Sequence, residues 1–135
     1  MKDTLTPGLT KTVRFTVDRA RTIEFLGEDS RVYATPELVR DIETTCRELI
    51  GEHLDAGEDT VGVRVELDHL AATLLGMWVE ITATLTALEG RRVTLDLTAR
   101  DAVEDVARGK HLRFIVDVKK SAERFKQKAE KAKAL

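Results

Sequence analysis

Val13, Phe15 and Val17 alternate with Thr12, Arg14 and Thr16, the period-two pattern of a half-buried strand, which Asp18 and Arg19 end. After a polar turn at Gly27-Glu28-Asp29-Ser30, the segment Thr35-Pro36-Glu37 predicts a helix start, with Thr35 as N-cap and Pro36 at the first helical position. Val39, Ile42, Cys46, Leu49, Ile50 and Leu54 then recur at three- and four-residue spacings, so this helix should bury one face and run to about Leu54, with Gly57 just past its end. From Thr60 the period returns to two. Val61, Val63, Val65 and Leu67 share one face of a strand, and Met77, Val79, Ile81, Ala83 and Leu85 share one face of the next. Glu89-Gly90-Arg91 punctuates a hairpin into Val93, Leu95, Leu97 and Ala99. Residues 101–105 turn the chain into a last strand with Leu112, Phe114, Val116 and Val118 on one side.

This order, a strand, a long helix and four strands in a meander, predicts an α+β architecture. An antiparallel sheet wraps a long central helix, the hot-dog arrangement. Residues 1–120 form that domain and residues 121–135 a basic helical tail with Phe125 as its one large aromatic anchor. So few strands around one helix leave an edge or an apolar face open, so a homodimer is expected, with further pairing into a tetramer left open.

Composition narrows the picture. With 42% apolar and 34% charged residues the chain reads as an ordinary soluble domain, and aromatics are only 4%, so Val, Leu, Ile and Ala must build the core. Apolar stretches are broken by a charge or a glycine too soon to span a membrane, and Met1-Lys2-Asp3 lacks a basic-then-apolar leader, so a cytoplasmic protein is expected. The single cysteine, Cys46, and three scattered histidines provide no disulfide and no metal-ligand spacing. Seven basic residues against two acidic ones give residues 119–135 a net +5, leaving −7 on residues 1–118. Such a tail is either a solvated face with pairs such as Lys126 and Glu130 or an attractor of the phosphates of coenzyme A or a nucleic acid. Without interleaved aromatics, a helix-turn-helix or a zinc finger, nothing supports nucleic-acid recognition.

Three residues stand out chemically. Glu43 falls on the apolar stripe of the helix, where it either reaches water or a cation at the edge or sits in a low-dielectric pocket as a general base. His69 continues the parity of Val61 to Leu67, which points it toward the helix: a satisfied strand-end residue, or an imidazole oriented by Glu43. Thr35 is a simple N-cap or a hydroxyl beside free backbone N–H groups that favour an oxyanion. His53 and His111 read as structural or exposed. Arg113 shares an outward parity with His111, and Trp78 reads as packing at a dimer interface or over a pocket.

The segments Val32-Tyr33-Ala34-Thr35-Pro36, Asp41-Ile42-Glu43-Thr44-Thr45-Cys46, 62–77 (GVRVELDHLAATLLGM) and Leu88-Glu89-Gly90-Arg91-Arg92-Val93 resemble the hot-dog thioesterases related to fluoroacetyl-CoA thioesterase. The resemblance runs from about Thr10 to Lys120. It implies a catalytic Thr35, Glu43 and His69, with Gly62 and Arg113 around the substrate's acyl and thioester groups. The implied activity is hydrolysis of an acyl-CoA thioester to a carboxylic acid and a free thiol, with no cofactor beyond the coenzyme A of the substrate and no metal. A hot-dog protein that binds acyl-CoA or another small ligand without turnover is the alternative. An enoyl-thioester hydratase is disfavoured because its Asp and His pair is not visible. Two departures stand out: Leu75 replaces a proline common in relatives, and residues 24–32 offer only Phe25 where the fluoroacetyl enzyme carries a phenylalanine-bearing lid. Fluoroacetyl selectivity is therefore not carried over.

Overall fold

The period-two segments become the strands of one antiparallel sheet in the computed structural model, which describes all residues 1–135. In chain order the elements are β1 (Thr10–Thr16), β2 (Thr22–Ile23), β3 (Val32–Tyr33), α1 (Thr35–Gly51), β4 (Glu58–His69), β5 (Trp78–Glu89), β6 (Arg92–Arg100), β7 (Asp105–Asp117) and α2 (Val118–Lys133). The main sheet runs β1-β5-β6-β7-β4, while β2 and β3 form a two-stranded flap ahead of α1. Only β5, β6 and β7 make a meander. The expected four-stranded meander is corrected because β4 crosses over to the far edge and pairs with β7.

The sheet packs one face on α1. Leu38, Ile42, Cys46, Leu49 and Ile50 of the helix are buried, and meet Val79, Ile81, Ala83 and Leu85 of β5 and Val93, Leu95, Leu97 and Ala99 of β6. The buried stripe runs through Leu38 rather than Val39. The helix also stops at Gly51, short of Leu54, which is buried in the following loop. Each fully buried aliphatic side chain contributes about 1.5–3 kcal/mol. The two-residue β5–β6 turn holds Gly90 at φ +63°, a conformation that favours glycine.

On the opposite face Trp78 packs within its own chain. The guanidinium of Arg14 lies 3.9 Å from its ring centroid and that of Arg100 at 5.7 Å, and Glu80 bridges both arginines. Helix α2 begins at Val118, which therefore leaves the last strand, and Asp117 caps it by accepting from the Lys120 amide. Ser121 alone is buried along α2, so its basic side chains are solvated. No helix is long and apolar enough to cross a membrane.

The faces of β4 and β7 also differ from expectation. A β-bulge between Gly62 and Arg64 shifts the register of β4 on β7. Before it Thr60 and Gly62 face α1; after it Leu67 and His69 do. Val61 and Val63 are instead 45% and 60% exposed, and Val65, on the same side as Leu67 and His69, is still 36% exposed at the free edge of the sheet. On β7 the helix-facing side holds His111, Arg113 and Ile115, while Phe114 is half-exposed. The side assigned to Leu112, Phe114, Val116 and Val118 is thus the outer one, because Arg113 and His111 turn inward to partners on α1 and β4.

Candidate active site

Thr35 is the first residue of α1, but the N-cap position falls to Ala34, whose extended backbone lets its carbonyl accept from the Leu38 amide. The Thr35 hydroxyl is spent elsewhere, 2.8 Å from Nδ1 of His69 at the end of β4. Nε2 of His69 is buried and has no hydrogen-bond partner in the chain. Burial pushes this imidazole below its ordinary pKa, partly offset by the backbone of Ala71, so the ring is a neutral base at pH 7. Thr35 and His69 line a cleft of about 310 Å³ with Ile23, Val32 and Leu70.

Glu43 lies eight residues further along α1, about 12 Å at the helical rise. Its carboxylate is 43% exposed and faces Arg113, whose Nη1 donates to Oε2 at 3.3 Å. Arg113 is itself buried. Its Nε donates to the Thr60 hydroxyl at 2.7 Å, Nη2 to the Thr60 carbonyl at 2.8 Å, and Nη1 also lies 3.2 Å from Nε2 of His111. Burial pulls the guanidinium below its ordinary pKa, with Glu43 working against that. Gly62 closes the cluster from β4. A Cβ there would sit 2.9 Å from Oε2 of Glu43, so the bare backbone makes room for the carboxylate. Glu43 and Arg113 open onto a second cleft of about 260 Å³.

The five candidate residues thus fall into two groups in one chain: Thr35 with His69, and Glu43 with Arg113 and Gly62. No hydrogen bond joins Glu43 to His69, which corrects the expected contact between carboxylate and imidazole; the separation along α1 keeps them apart. Arg113 is buried rather than on an outward, solvated face, and of the two readings of His111, structural or exposed, the exposed one is corrected, because the ring is wholly buried within the Glu43 group. His53 bonds the Thr4 hydroxyl at 2.7 Å, away from both clefts.

A buried network missed by sequence reading ties the two groups. Asp41, two residues before Glu43, accepts from Nε of Arg21 at 2.8 Å, from Nη2 at 3.1 Å, and from the hydroxyl of Tyr33, two residues before Thr35. It pins the segment entering α1 to the second turn of the helix. Burial and the Asp41 carboxylate push the Tyr33 hydroxyl far above its ordinary pKa, so it stays a donor. Asp41 sits one residue before the buried Ile42, and no periodicity distinguishes such an acid from one on the solvated face. For His111 the signal was its shared parity with Arg113: whichever way one points, so does the other.

The comparisons with known proteins agree with this architecture. A family model described as fluoroacetyl-CoA-specific thioesterase matches residues 17–119. The chain is 31% identical over 135 residues to the fluoroacetyl-CoA thioesterase of Streptantibioticus cattleyicolor, spanning 95% of this chain and 97% of that protein. A Thermus thermophilus protein described as a thioesterase superfamily member superposes with a TM-score of 0.89 at 29% identity, over 98% of this chain and 99% of that one. A hot-dog-like protein from Thermanaerovibrio acidaminovorans superposes with a TM-score of 0.83 at 26% identity, over 90% and 91% of the two chains. The chain belongs to the fluoroacetyl-CoA-specific thioesterase family and is a thioester hydrolase of the hot-dog fold.

Proposed function

We propose that the protein hydrolyses an acyl-CoA thioester through Thr35, Glu43 and His69, and that two copies build each site. The observation that carries this reading is the 2.8 Å contact between the Thr35 hydroxyl and His69, a nucleophile and a base within hydrogen-bond reach. Variants of the fluoroacetyl-CoA thioesterase FlK have been crystallised with acetyl-CoA and with fluoroacetate and CoA, which supports an acyl-CoA substrate. His69 accepts the proton of Thr35 or of a water as the oxygen attacks the thioester carbonyl. The oxyanion forms, the C–S bond breaks, and the thiolate takes the proton back as the free thiol. Where water attacks, the acid is released in that step; where Thr35 attacks, the acyl group stays as an ester on its oxygen until a water that gives its proton to His69 adds to the ester, and the Thr35 oxygen recovers that proton as the acid leaves. Backbone N–H groups at the start of α1 or near Gly62 are positioned to steady the oxyanion. The reaction so written uses no cofactor beyond the coenzyme A that the substrate brings, and a cytoplasmic setting suits such a substrate.

In a single chain Glu43 is too far from Thr35 to reach the same carbonyl. The free β4 edge with its exposed valines supplies the remedy. An antiparallel pairing of two β4 edges, with its two-fold between Val65 and Glu66, sets Gly62 of one copy opposite His69 of the other. The Glu43 and Arg113 group of one protomer then faces the Thr35 and His69 group of its mate, where Glu43 activates water or attacks the carbonyl.

The acyl group is not specifically fluoroacetyl, since Phe25 on the 24–31 loop is 85% exposed rather than seated over the His69 cleft. The test is release of free thiol from short, branched and aromatic acyl-CoA esters, beside Glu43→Ala and His69→Ala. Turnover by the parent, lost in both variants, is the expected result. Saturable CoA-ester binding with no turnover of any ester would replace the enzyme by a binding protein.

A further inference from the structure

His111 is the wholly buried imidazole of the chain, and the reaction above does not use it. Its Nδ1 lies 2.8 Å from the carbonyl oxygen of Arg64 at the β4 bulge. A carbonyl only accepts and a guanidinium N–H only donates, so Nδ1 carries the proton and Nε2, which faces Nη1 of Arg113, is bare. Nε2 therefore accepts from Nη1 of Arg113 at 3.2 Å, and that same Nη1 donates to Glu43 at 3.3 Å. The two hydrogens of Nη1 are divided between an imidazole and a carboxylate, while Thr60 holds the other side of the guanidinium.

We propose that His111 is a positioning residue for Glu43, acting through Arg113, and that it does so only as the neutral Nδ1–H tautomer. This rests on the thioesterase reading above. A proton on Nε2 removes the acceptor and sets a second cation 3.2 Å from Nη1, so Arg113 swings from its place and Glu43 loses its anchor. Glu43 and Cys46 face the cluster from α1, Asp59 from β4 and Arg113 from β7. Burial pushes the Cys46 thiol up to about 12, which keeps it protonated, and Arg47 holds the Asp59 carboxyl below its ordinary range. Burial and the Arg113 cation keep the His111 ring neutral at pH 7, against the pull of the Arg64 carbonyl and of Glu43. The bulge and the bare Gly62 are the backbone's share of the device: one turns a carbonyl toward Nδ1, and the other leaves space for three side chains to meet.

The experiment compares His111→Gln with His111→Asn. The glutamine amide reaches the place of Nε2 and can accept from Arg113; the asparagine amide reaches only the place of Nδ1. Both variants should lose similar stability in urea. The glutamine variant should keep kcat within about threefold of the parent and lose the part of the acid limb that His111 protonation adds, whereas the asparagine variant should lose about tenfold or more in kcat with little change in KM. Equal kcat in the two variants, or an acid limb unmoved in the glutamine variant, would overturn the proposal. Two readouts stand apart from activity. The ring ¹⁵N spectrum should show His111 as the Nδ1–H tautomer at pH 7, and the Nη protons of Arg113 should be resolved in the parent and the glutamine variant but averaged in the asparagine variant. If no ester is hydrolysed, the thioesterase reading fails alone and these spectra still decide for or against His111. An Nε2–H or imidazolium ring at pH 7, or unaltered Arg113 signals in the asparagine variant, rules the role out.

Discussion

Tyr33, Asp41 and Arg21 show how single side chains set the distance between catalytic candidates. Tyr33→Phe deletes one donor to a buried carboxylate that keeps Arg21, and should cost about 2 kcal/mol in urea unfolding. The same hydroxyl dictates an alkaline effect. Its pKa is raised in the fold from an ordinary 10.0, so the stability it contributes is complete below pH 10 and is lost as the pH climbs above it; Tyr33→Phe should flatten that decline. On the acid side the sign reverses. His69 and His111 are depressed below an ordinary 6.5, so their contribution is present above that pH and falls away below it, which urea midpoints between pH 7 and 5 should record. Thr35, Glu43 and His69 were legible in the sequence from a motif and from parity. Their division into two groups was not, because a linear pattern gives the face of a residue and not its distance along the helix from a strand on the far edge.

Among the elements, α1 and the strands β1, β5 and β6 follow their patterns because each buries one regular face. The exceptions are β4 and β7. A single extra residue at the bulge inverts the face of everything beyond it, so period-two reading placed Val61 and Val63 inside and left Gly62 and Thr60 out. On β7 the burial of Arg113 and His111 defies hydropathy, since their cost is met by hydrogen bonds that only the fold supplies. Two glycines there make opposite forecasts. At Gly62 a methyl would strike the mobile end of Glu43, so Gly62→Ala should cut thiol release severely while the urea midpoint hardly moves. At Gly109 a methyl would fall 2.0 Å from the Glu66 carbonyl oxygen, so Gly109→Ala should part β4 from β7 and destabilise the fold. Removing residues 121–135 should lower the thermal midpoint by only a few degrees, since Ser121 is their single buried residue.

For the whole molecule, the separation of Thr35 and His69 from Glu43 and Arg113 within one chain and the bare β4 edge both favour the proposed two-copy assembly. Val63→Lys, at the most exposed of the β4 valines, should shift the sedimenting species toward monomer and abolish thiol release together, with the circular dichroism spectrum of the fold retained. A monomer that stays fully active would separate assembly from catalysis. Such experiments need a signal for folding that the ligand does not disturb, and the sheet contains one. Trp78 is the sole indole of the chain, lying under Arg14 on the face turned away from α1 and both clefts. Its emission should therefore report the parting of β1 from β5 and stay silent when an ester enters, so that fluorescence and thiol release become two independent channels, one for integrity and one for occupancy.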